Sequence, residues 1–316
     1  MPSAPVNPAQ EATKSIAPGL LLATFGSIAF SGKAIIVKLA YRHGVDAVTL
    51  IMYRMLFALP IFAAMAWWAT YRQGGGGKPP LTRKDWLGIL GLGITGYYLA
   101  SYLDFAGLSY ISASLERLIL YLNPTLVLLL GLVLYKRPIK GLQAFGMLIS
   151  YSGVALVFGQ EIKLAGGNVA VGALLVFLSA VSYALYLSYS GEMVKRLGAL
   201  RLVGLATSVA CGLCIAQFLI LRPWSAVVVA PEVIWLSVLN ATLCTAVPVL
   251  MVMMAIERIG ASLTSQIGMV GPMSTILMGV FILGEPFSVW IAAGTVLVVA
   301  GIFVFSRAHQ SKSIGL

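Results

Sequence analysis

The chain has 316 residues, of which 59% are hydrophobic and only 10% are charged, and its mean hydropathy is +0.95. Soluble domains carry about 25% charged residues, so this composition excludes a soluble globular protein and predicts an integral membrane protein. The net charge of +11 indicates which loops stay in the cytoplasm. It does not indicate nucleic-acid binding, because no amphipathic basic element accompanies it.

Ten apolar stretches follow one another along the chain, most of them close to the roughly 20 residues that a helix needs to cross about 30 Å of hydrocarbon. We predict helices because unpaired strand or loop backbone is not tolerated in lipid. The predicted spans are 18–41, 48–70, 86–109, 111–135, 142–158, 169–190, 200–221, 232–256, 261–283 and 287–306.

The orientation follows from the lysines and arginines, which are enriched in cytoplasmic loops. With the N-terminus inside, only a few basic residues fall in outer loops or at the outer ends of spans: Lys38, Arg42, Lys163 and Arg222. We therefore predict a multi-pass protein of a bacterial-type inner (plasma) membrane. Both termini, residues 1–17 and 307–316, are expected in the cytoplasm.

An internal repeat divides the chain. Shifted by 148 positions, the segment SYISASLERLILYLNPTLVLLLGLVLYKRP at 109–138 aligns without a gap on ERIGASLTSQIGMVGPMSTILMGVFILGEP at 257–286. The alignment pairs Pro124 with Pro272 and Gly131 with Gly279, and the same shift continued past residue 138 pairs Gly153 with Gly301; shared apolar composition alone would not align prolines and glycines in this way. We predict two five-helix repeats, 18–160 and 168–306. Five crossings place the second copy upside down in the membrane, as in many secondary transporters.

The repeated segments resemble an EamA-type member of the drug/metabolite transporter superfamily across nearly all of the chain. The resemblance rests on the doubled A-S-L motif followed by a proline, the G-E-P turn at Gly284–Pro286, and single residues: Gly32, Lys38, Arg54, Gly294 and Gly301. The resemblance implies ten helices in two inverted repeats around a central cavity. It also implies export of amino acids or other small metabolites.

Three departures from the family pattern are visible. Ser31 stands where the family often has tryptophan, and Tyr135-Lys136-Arg137-Pro138 replaces the G-E-x-P turn in the first copy. Glu116 and Arg117 meet Thr264 and Ser265 in the second copy, so the buried charge pair has no counterpart there. These departures make transfer of a substrate from the family unsafe.

Ionisable residues inside spans cost at least about 2.5–3.5 kcal/mol each, so they are expected to face partners or water. Five are predicted at one depth in the outer third of the first repeat: Lys33, Arg54, Asp104, Glu116 and Arg117. Neighbours in sequence point about 100° apart on a helix, so Glu116 and Arg117 should find partners elsewhere. We expect Asp104 to pair with Arg117 or Arg54, and Glu116 with Lys33. The network is either an outer gate and binding subsite or a helix-holding scaffold.

Further polar residues are candidates for the cavity wall, although such side chains also serve as contacts between helices. They are Tyr97, Ser101, Asn123, Ser179, Tyr183, Tyr186, Thr264 and Gln266. Three prolines within spans are predicted to kink helices and expose backbone towards a central site: Pro124, Pro248 and Pro272.

The most favoured function is a secondary active transporter that exports an amino acid or organic anion by alternating access. A small-molecule substrate and the lipid bilayer are the expected partners, and protons are a candidate coupling ion, carried by Glu116 or Asp104. The alternatives are an exporter of lipophilic compounds or drugs, and a non-transporting sensor or channel. An enzyme is not expected, because no span holds a histidine or a catalytic motif. No cofactor, metal or nucleic-acid partner is predicted.

Overall fold

The computed structural model of the protein describes residues 16–71, 80–136, 138–268 and 270–310, and within them the backbone is helical with short connections and no strand. The predicted tails fall largely outside these residues. The helices, numbered in chain order, are α1 Ala17–Tyr41, α2 Ala47–Tyr71, α3 Arg83–Leu108, α4 Ala113–Leu120, α5 Asn123–Tyr135, α6 Gly141–Ala165, α7 Asn168–Leu197, α8 Ala199–Leu221, α9 Pro231–Ala241, α10 Val247–Gly268, α11 Val270–Leu283 and α12 Val289–Gln310.

Eight helical stretches of the described chain are long and apolar enough to cross a membrane. They are Ala17–Tyr41, Ala47–Tyr71, Arg83–Leu108, Ala113–Leu134, Gly141–Leu164, Asn168–Gly191, Ala199–Leu221 and Pro231–Val252. Two shorter apolar helices, Val270–Leu283 and Val289–Val304, lie where we predicted the ninth and tenth spans. The protein is therefore an all-helical integral membrane protein, and ten crossings remain a prediction.

The predicted fourth span consists of two helices that are separated just before its proline. Helix α4 ends at Leu120, and α5 begins at Asn123 with Pro124 in its first turn, where a missing N–H costs no hydrogen bond. Pro272 likewise lies in the first turn of α11. Pro248 has a different setting, because it follows a wide π-helical turn at Thr242–Ala246 that joins α9 to α10.

The chain stays helical past residue 256, the predicted end of the eighth span, although the stretch that is long and apolar enough to cross a membrane ends at Val252. Helix α10 continues to Gly268, because residues 257–260 contain no proline and only one glycine, which a helix tolerates. Gly19 packs against Ile259, whereas Ser27, two turns further along α1, lies beside Gly268. The chain has therefore reversed its direction along α1 between Ile259 and Gly268.

Helices from the two halves of the chain pack against each other through small residues. Where α6 crosses α12, a Cβ on Gly153 would lie 2.6 Å from the carbonyl oxygen of Gly294, and a Cβ on Gly301 would lie 2.5 Å from that of Gly146. Helices α3 and α7 approach in the same way at Gly107 and Gly172. These contacts, and those of α2 with α8 and of α1 with α10, enclose a central space.

Candidate functional site

Four of the five predicted charges meet between α1, α3 and α4. Lys33 Nζ lies 2.5 Å from Asp104 Oδ2 and 3.6 Å from Glu116 Oε1. Arg117 Nε lies 3.7 Å from Glu116 Oε2. All four side chains are buried, and Glu116 is 0% exposed. The cluster joins three helices through two carboxylates that share one ammonium group.

Two of the expected pairings are corrected. Asp104 pairs with Lys33, and not with Arg117 or Arg54, because the lysine on α1 reaches both carboxylates. Glu116 and Arg117 do form an ion pair, contrary to the expectation from their angular separation. The long arginine side chain bends back to its neighbour, but 3.7 Å is too long for a hydrogen bond. The expected pair of Glu116 with Lys33 is present.

Arg54 stands apart from this cluster. Its Nε and Nη2 donate to the hydroxyl oxygen of Thr245 at 3.3 and 3.2 Å, and its guanidinium lies 5.2 Å from the ring centroid of Phe105. The side chain is buried, yet it forms no ion pair with a carboxylate among the residues that the structure describes. Arg54 is a buried cation held by a hydroxyl group and an aromatic ring.

These charges border a central cavity of about 570 Å³, a size typical of small-molecule sites. Most of the predicted site residues line it: Lys33, Arg54, Tyr97, Ser101, Asp104, Arg117, Asn123, Ser179, Tyr183, Tyr186, Pro248 and Pro272. From the charged end the lining continues to Val194 and Ala199, at the junction of α7 and α8. Three cations and one carboxylate face the cavity in the described part of the chain.

The remaining predicted residues are placed differently. Glu116 lies behind the lining, where it holds Lys33 and Arg117. Thr264 is buried, and neither it nor Pro124 contributes to the described wall. The side chain of Gln266 lies outside the described residues.

Sequence reasoning missed Thr245, Ser31 and Phe105. Ser31 Oγ donates to the carbonyl of Gly271 at 2.6 Å and joins the cavity wall. Thr245 lies in the π-helical turn before Pro248, and that proline was the available signal for an altered backbone. An apolar residue such as Phe105 offers no signal that distinguishes it from ordinary core.

Several donors and acceptors at the cavity have no hydrogen-bond partner within the described chain. They are Arg54 Nη1, Asp104 Oδ1, Arg117 Nε and Nη2, and Asn123 Oδ1. Buried polar groups are almost always hydrogen-bonded, so an unmatched set on a cavity wall fits a site for a polar ligand. The arginine atoms are donors only, and an anionic group matches them.

Tyrosines form the wall beyond the charges. Tyr97 and Tyr186 meet edge to face, with ring centroids 5.2 Å apart and hydroxyl oxygens 3.3 Å apart. Tyr183 stacks on Tyr186 at 5.5 Å, with 23° between the ring planes. Gly96 makes this possible, because a Cβ there would collide with the Tyr186 ring. We call Tyr97, Tyr183 and Tyr186 the tyrosine cluster.

A polar layer closes the other end of the bundle. Glu285 accepts hydrogen bonds from the backbone N–H of Ala113 and from the hydroxyl group of Ser114 at 2.7 and 2.8 Å. Glu161 accepts from the N–H and hydroxyl group of Ser112. Two carboxylates therefore cap the positive end of α4, where a negative charge is favourable.

Beyond this layer lies a vestibule of about 1150 Å³, lined by Glu161, Glu285 and the loop between α1 and α2. In that loop Asp46 pairs with Arg222 at 2.9 Å. Burial of the Asp46 carboxylate opposes ionisation, but hydrogen bonds from the Thr49 hydroxyl and N–H groups and the charge of Arg222 outweigh it and lower the pKa of Asp46. This ion pair holds the loop between α1 and α2 against the C-terminal end of α8.

The fold and the cavity define a multi-pass membrane protein with a polar binding space between its helices. The sequence profile of the EamA-like transporter family matches residues 17–159 and again residues 170–307. The chain belongs to the EamA-like transporter family.

Relatives carry transporter names. The chain is 28% identical over 292 residues to the uncharacterized transporter YcbK of Bacillus subtilis (strain 168), covering 87% of this chain and 88% of the relative. It is 21% identical to an uncharacterized transporter of Archaeoglobus fulgidus, covering 92% and 98%. A protein of known crystal structure, 18% identical, superimposes with a TM-score of 0.61 over 96% of this chain and 100% of its own, and shares the fold.

Proposed function

We propose that the protein is a secondary active transporter of the inner membrane, which exports a small carboxylate-bearing metabolite by alternating access. The substrate is an amino acid or an organic anion. The observation that carries this proposal is Arg54, a buried cation on the cavity wall that forms no ion pair with a described carboxylate.

An unpaired buried charge is strongly destabilising, typically by about 3–5 kcal/mol when its partner has been removed. Arg54 and Arg117 both line the cavity with unmatched N–H groups. A substrate carboxylate would accept from these donors, and charge-assisted hydrogen bonds of this kind are the strong ones. An exporter of lipophilic cations would instead need an unpaired acid on the wall, so the excess of positive charge disfavours that alternative.

Alternating access is supported by the relation between the two halves. Ser150 donates to the carbonyl of Val298 where α6 crosses α12. The two residues are 148 positions apart, so they occupy the same position in the two repeats. The same alignment converts the Gly153–Gly294 contact into the Gly301–Gly146 contact. Contacts that are exchanged in this way between the two repeats fit a two-fold axis relating inverted repeats. In secondary transporters with inverted repeats, one repeat moves against the other around a central binding site.

The basic residues suggest which face the cavity serves. Its lining reaches the junction of α7 and α8, which carries Lys195, Arg196 and Arg201. Lysine and arginine are enriched on the cytoplasmic side, so we assign this end to the cytoplasm. The layer formed by Glu161 and Glu285 then closes the outer side, and the arrangement corresponds to an inward-facing state that loads substrate from the cell.

Proton coupling is assigned to Glu116 in this proposal. Its carboxylate is 0% exposed, and neither of its oxygens has a hydrogen-bond partner among the described residues. Among the described residues it forms ion pairs with Lys33 and Arg117. A substrate anion at Arg117 would compete for one of these charges, which links the substrate site to the carboxylate.

The test is uptake into inside-out membrane vesicles, measured by mass spectrometry. A panel of amino acids, organic acids and cationic drugs is offered with and without a pH gradient to wild type, Arg54→Gln and Lys195→Gln. Lys195 is exposed at the α7–α8 junction and does not line the cavity, so its variant controls for the loss of one positive charge. We expect at least one carboxylate to accumulate, and Arg54→Gln to lower its uptake at least about ten-fold.

The Lys195→Gln vesicles should match wild type. The proposal would be contradicted if correctly folded Arg54→Gln transported the same carboxylates at the wild-type rate. Preferential accumulation of cationic drugs would also contradict it.

A further inference from the structure

The cavity has two chemically different ends. Lys33, Arg54 and Arg117 form the charged end, and the tyrosine cluster forms the wall towards the α7–α8 junction. Tyr97 lies two helical turns before Asp104 on α3, so the two ends are separated by roughly 10 Å along the cavity. A ligand that touches both ends is longer than a carboxylate alone.

We infer that the cavity takes an aromatic carboxylate, whose anionic group lies at Arg54 and Arg117 and whose ring stacks beside Tyr183. This inference rests on the proposed function, and it adds the chemical class of the rest of the substrate. Tyr183 is half-buried and lines the cavity, while Tyr186 packs on it with nearly parallel ring planes. A planar ligand ring in the cavity would pack beside Tyr183 as a further member of this stack.

A cationic group is the other ligand that tyrosine rings receive, through cation–π contacts. Two observations favour a ring. The three cations and one carboxylate on the described wall repel a ligand ammonium group. Tyr183 and Tyr186 also pack on each other with their ring planes 23° from parallel, so these two rings do not enclose a space between their faces.

The experiment is isothermal titration calorimetry of the purified protein in detergent with three carboxylates. Phenylpropanoate and cyclohexylpropanoate share the carboxylate, chain length and approximate ring size and differ in aromaticity. Trimethylammoniobutanoate replaces the ring by a cation. We expect phenylpropanoate to bind about two- to twelve-fold tighter than cyclohexylpropanoate, the range measured for aromatic pairs. The more hydrophobic cyclohexyl compound would bind better to an unspecific apolar wall.

The variants separate this inference from the proposed function. Tyr183→Phe keeps the ring and should keep the preference for phenylpropanoate, whereas Tyr183→Leu should lose it. Arg54→Gln should weaken the binding of both ring compounds. Equal binding of the two ring compounds with a retained Arg54 dependence, or tighter binding of trimethylammoniobutanoate, overturns the aromatic assignment alone. Absence of carboxylate binding to the folded wild type overturns the proposed function together with the inference.

Discussion

Ser150 and Val298 meet at the crossing of α6 and α12, where the Ser150 hydroxyl group donates to the Val298 carbonyl oxygen at 3.3 Å. The two positions are 148 residues apart, the spacing of the internal repeat. Close glycine contacts lie on either side, between Gly153 and Gly294 and between Gly146 and Gly301. The crossing therefore holds the first half of the chain against the second.

Gly294→Ala should destabilise the protein, because the new Cβ would lie 2.7 Å from the carbonyl oxygen of Gly153 and would force the helices apart. Overpacking of this kind costs about 1–3 kcal/mol. The melting temperature in detergent should fall accordingly. Gly212→Ala is the matched control, since its Cβ would meet nothing within 4 Å and alanine favours the helix. Equal melting temperatures for the two variants would show that the contact between α6 and α12 can accommodate an extra methyl group.

Removal of Lys33 should destabilise the protein through the carboxylates left behind. Lys33→Gln leaves Asp104 and Glu116 buried without their shared ammonium group, and we expect a loss of about 3–5 kcal/mol. Neutralising one carboxylate as well, in Lys33→Gln/Asp104→Asn, should restore part of the loss. The free energies of unfolding of wild type, both single variants and the double variant form a cycle that isolates the interaction. If the effects of the two single substitutions on the free energy of unfolding were additive, Lys33 and Asp104 would not stabilise each other.

The pair of Asp46 and Arg222 should stabilise the protein in a pH-dependent manner. Because the pKa of Asp46 is lowered in the folded protein, its contribution is present above the unfolded pKa of about 3.9 and is lost as the pH falls through the folded value. A partly exposed pair contributes only about 0–1 kcal/mol. Asp46→Asn should therefore melt slightly below wild type near neutral pH. The gap should close as the pH falls below about 4, and a gap that widened with acid would contradict the assignment.

Glu285 should keep the outer side of the cavity closed. In Glu285→Ala, the N-terminus of α4 loses its hydrogen-bonded carboxylate, and charge-assisted bonds contribute about 1.5–3 kcal/mol each. We expect a cysteine introduced at Ser101, which lines the cavity, to react at least about ten-fold faster with an impermeant thiol reagent added from outside. The measurement uses right-side-out vesicles.

Glu232→Ala provides the control for this measurement. Glu232 is exposed in the first turn of α9, so its loss should leave the labelling rate unchanged. A similar acceleration in both variants, or none in Glu285→Ala, would mean that Glu285 does not hold the outer side closed.

Eight of the apolar spans could be predicted from the sequence because hydrophobicity over about 20 residues determines what enters lipid. Most of the cavity wall could also be predicted, since polar residues in spans avoid lipid and Tyr97, Ser179 and Tyr183 had no other place to face. The clustering of Lys33, Asp104, Glu116 and Arg117 followed from their common depth.

The pairings and some helix ends could not be predicted. Which carboxylate Lys33 reaches depends on how α1, α3 and α4 are rotated about their axes, and helix packing sets that rotation. The extension of α10 past residue 256 depends on its packing along α1, because residues 257–260 are compatible with both loop and helix. Thr245 contacts Arg54 from within the π-helical turn, and Pro248 signals an altered backbone there without indicating which side chain the turn directs at Arg54.

Movement of substrate by alternating access, through the cavity that Arg54 lines, is tested most directly by exchange in proteoliposomes, using the carboxylate that the vesicle panel selects. We predict that entry of labelled substrate saturates and is accelerated by unlabelled substrate inside. Glu116→Gln should keep this exchange while losing accumulation driven by a pH gradient. Entry that rises linearly with substrate concentration and does not depend on internal substrate would contradict alternating access and indicate a channel.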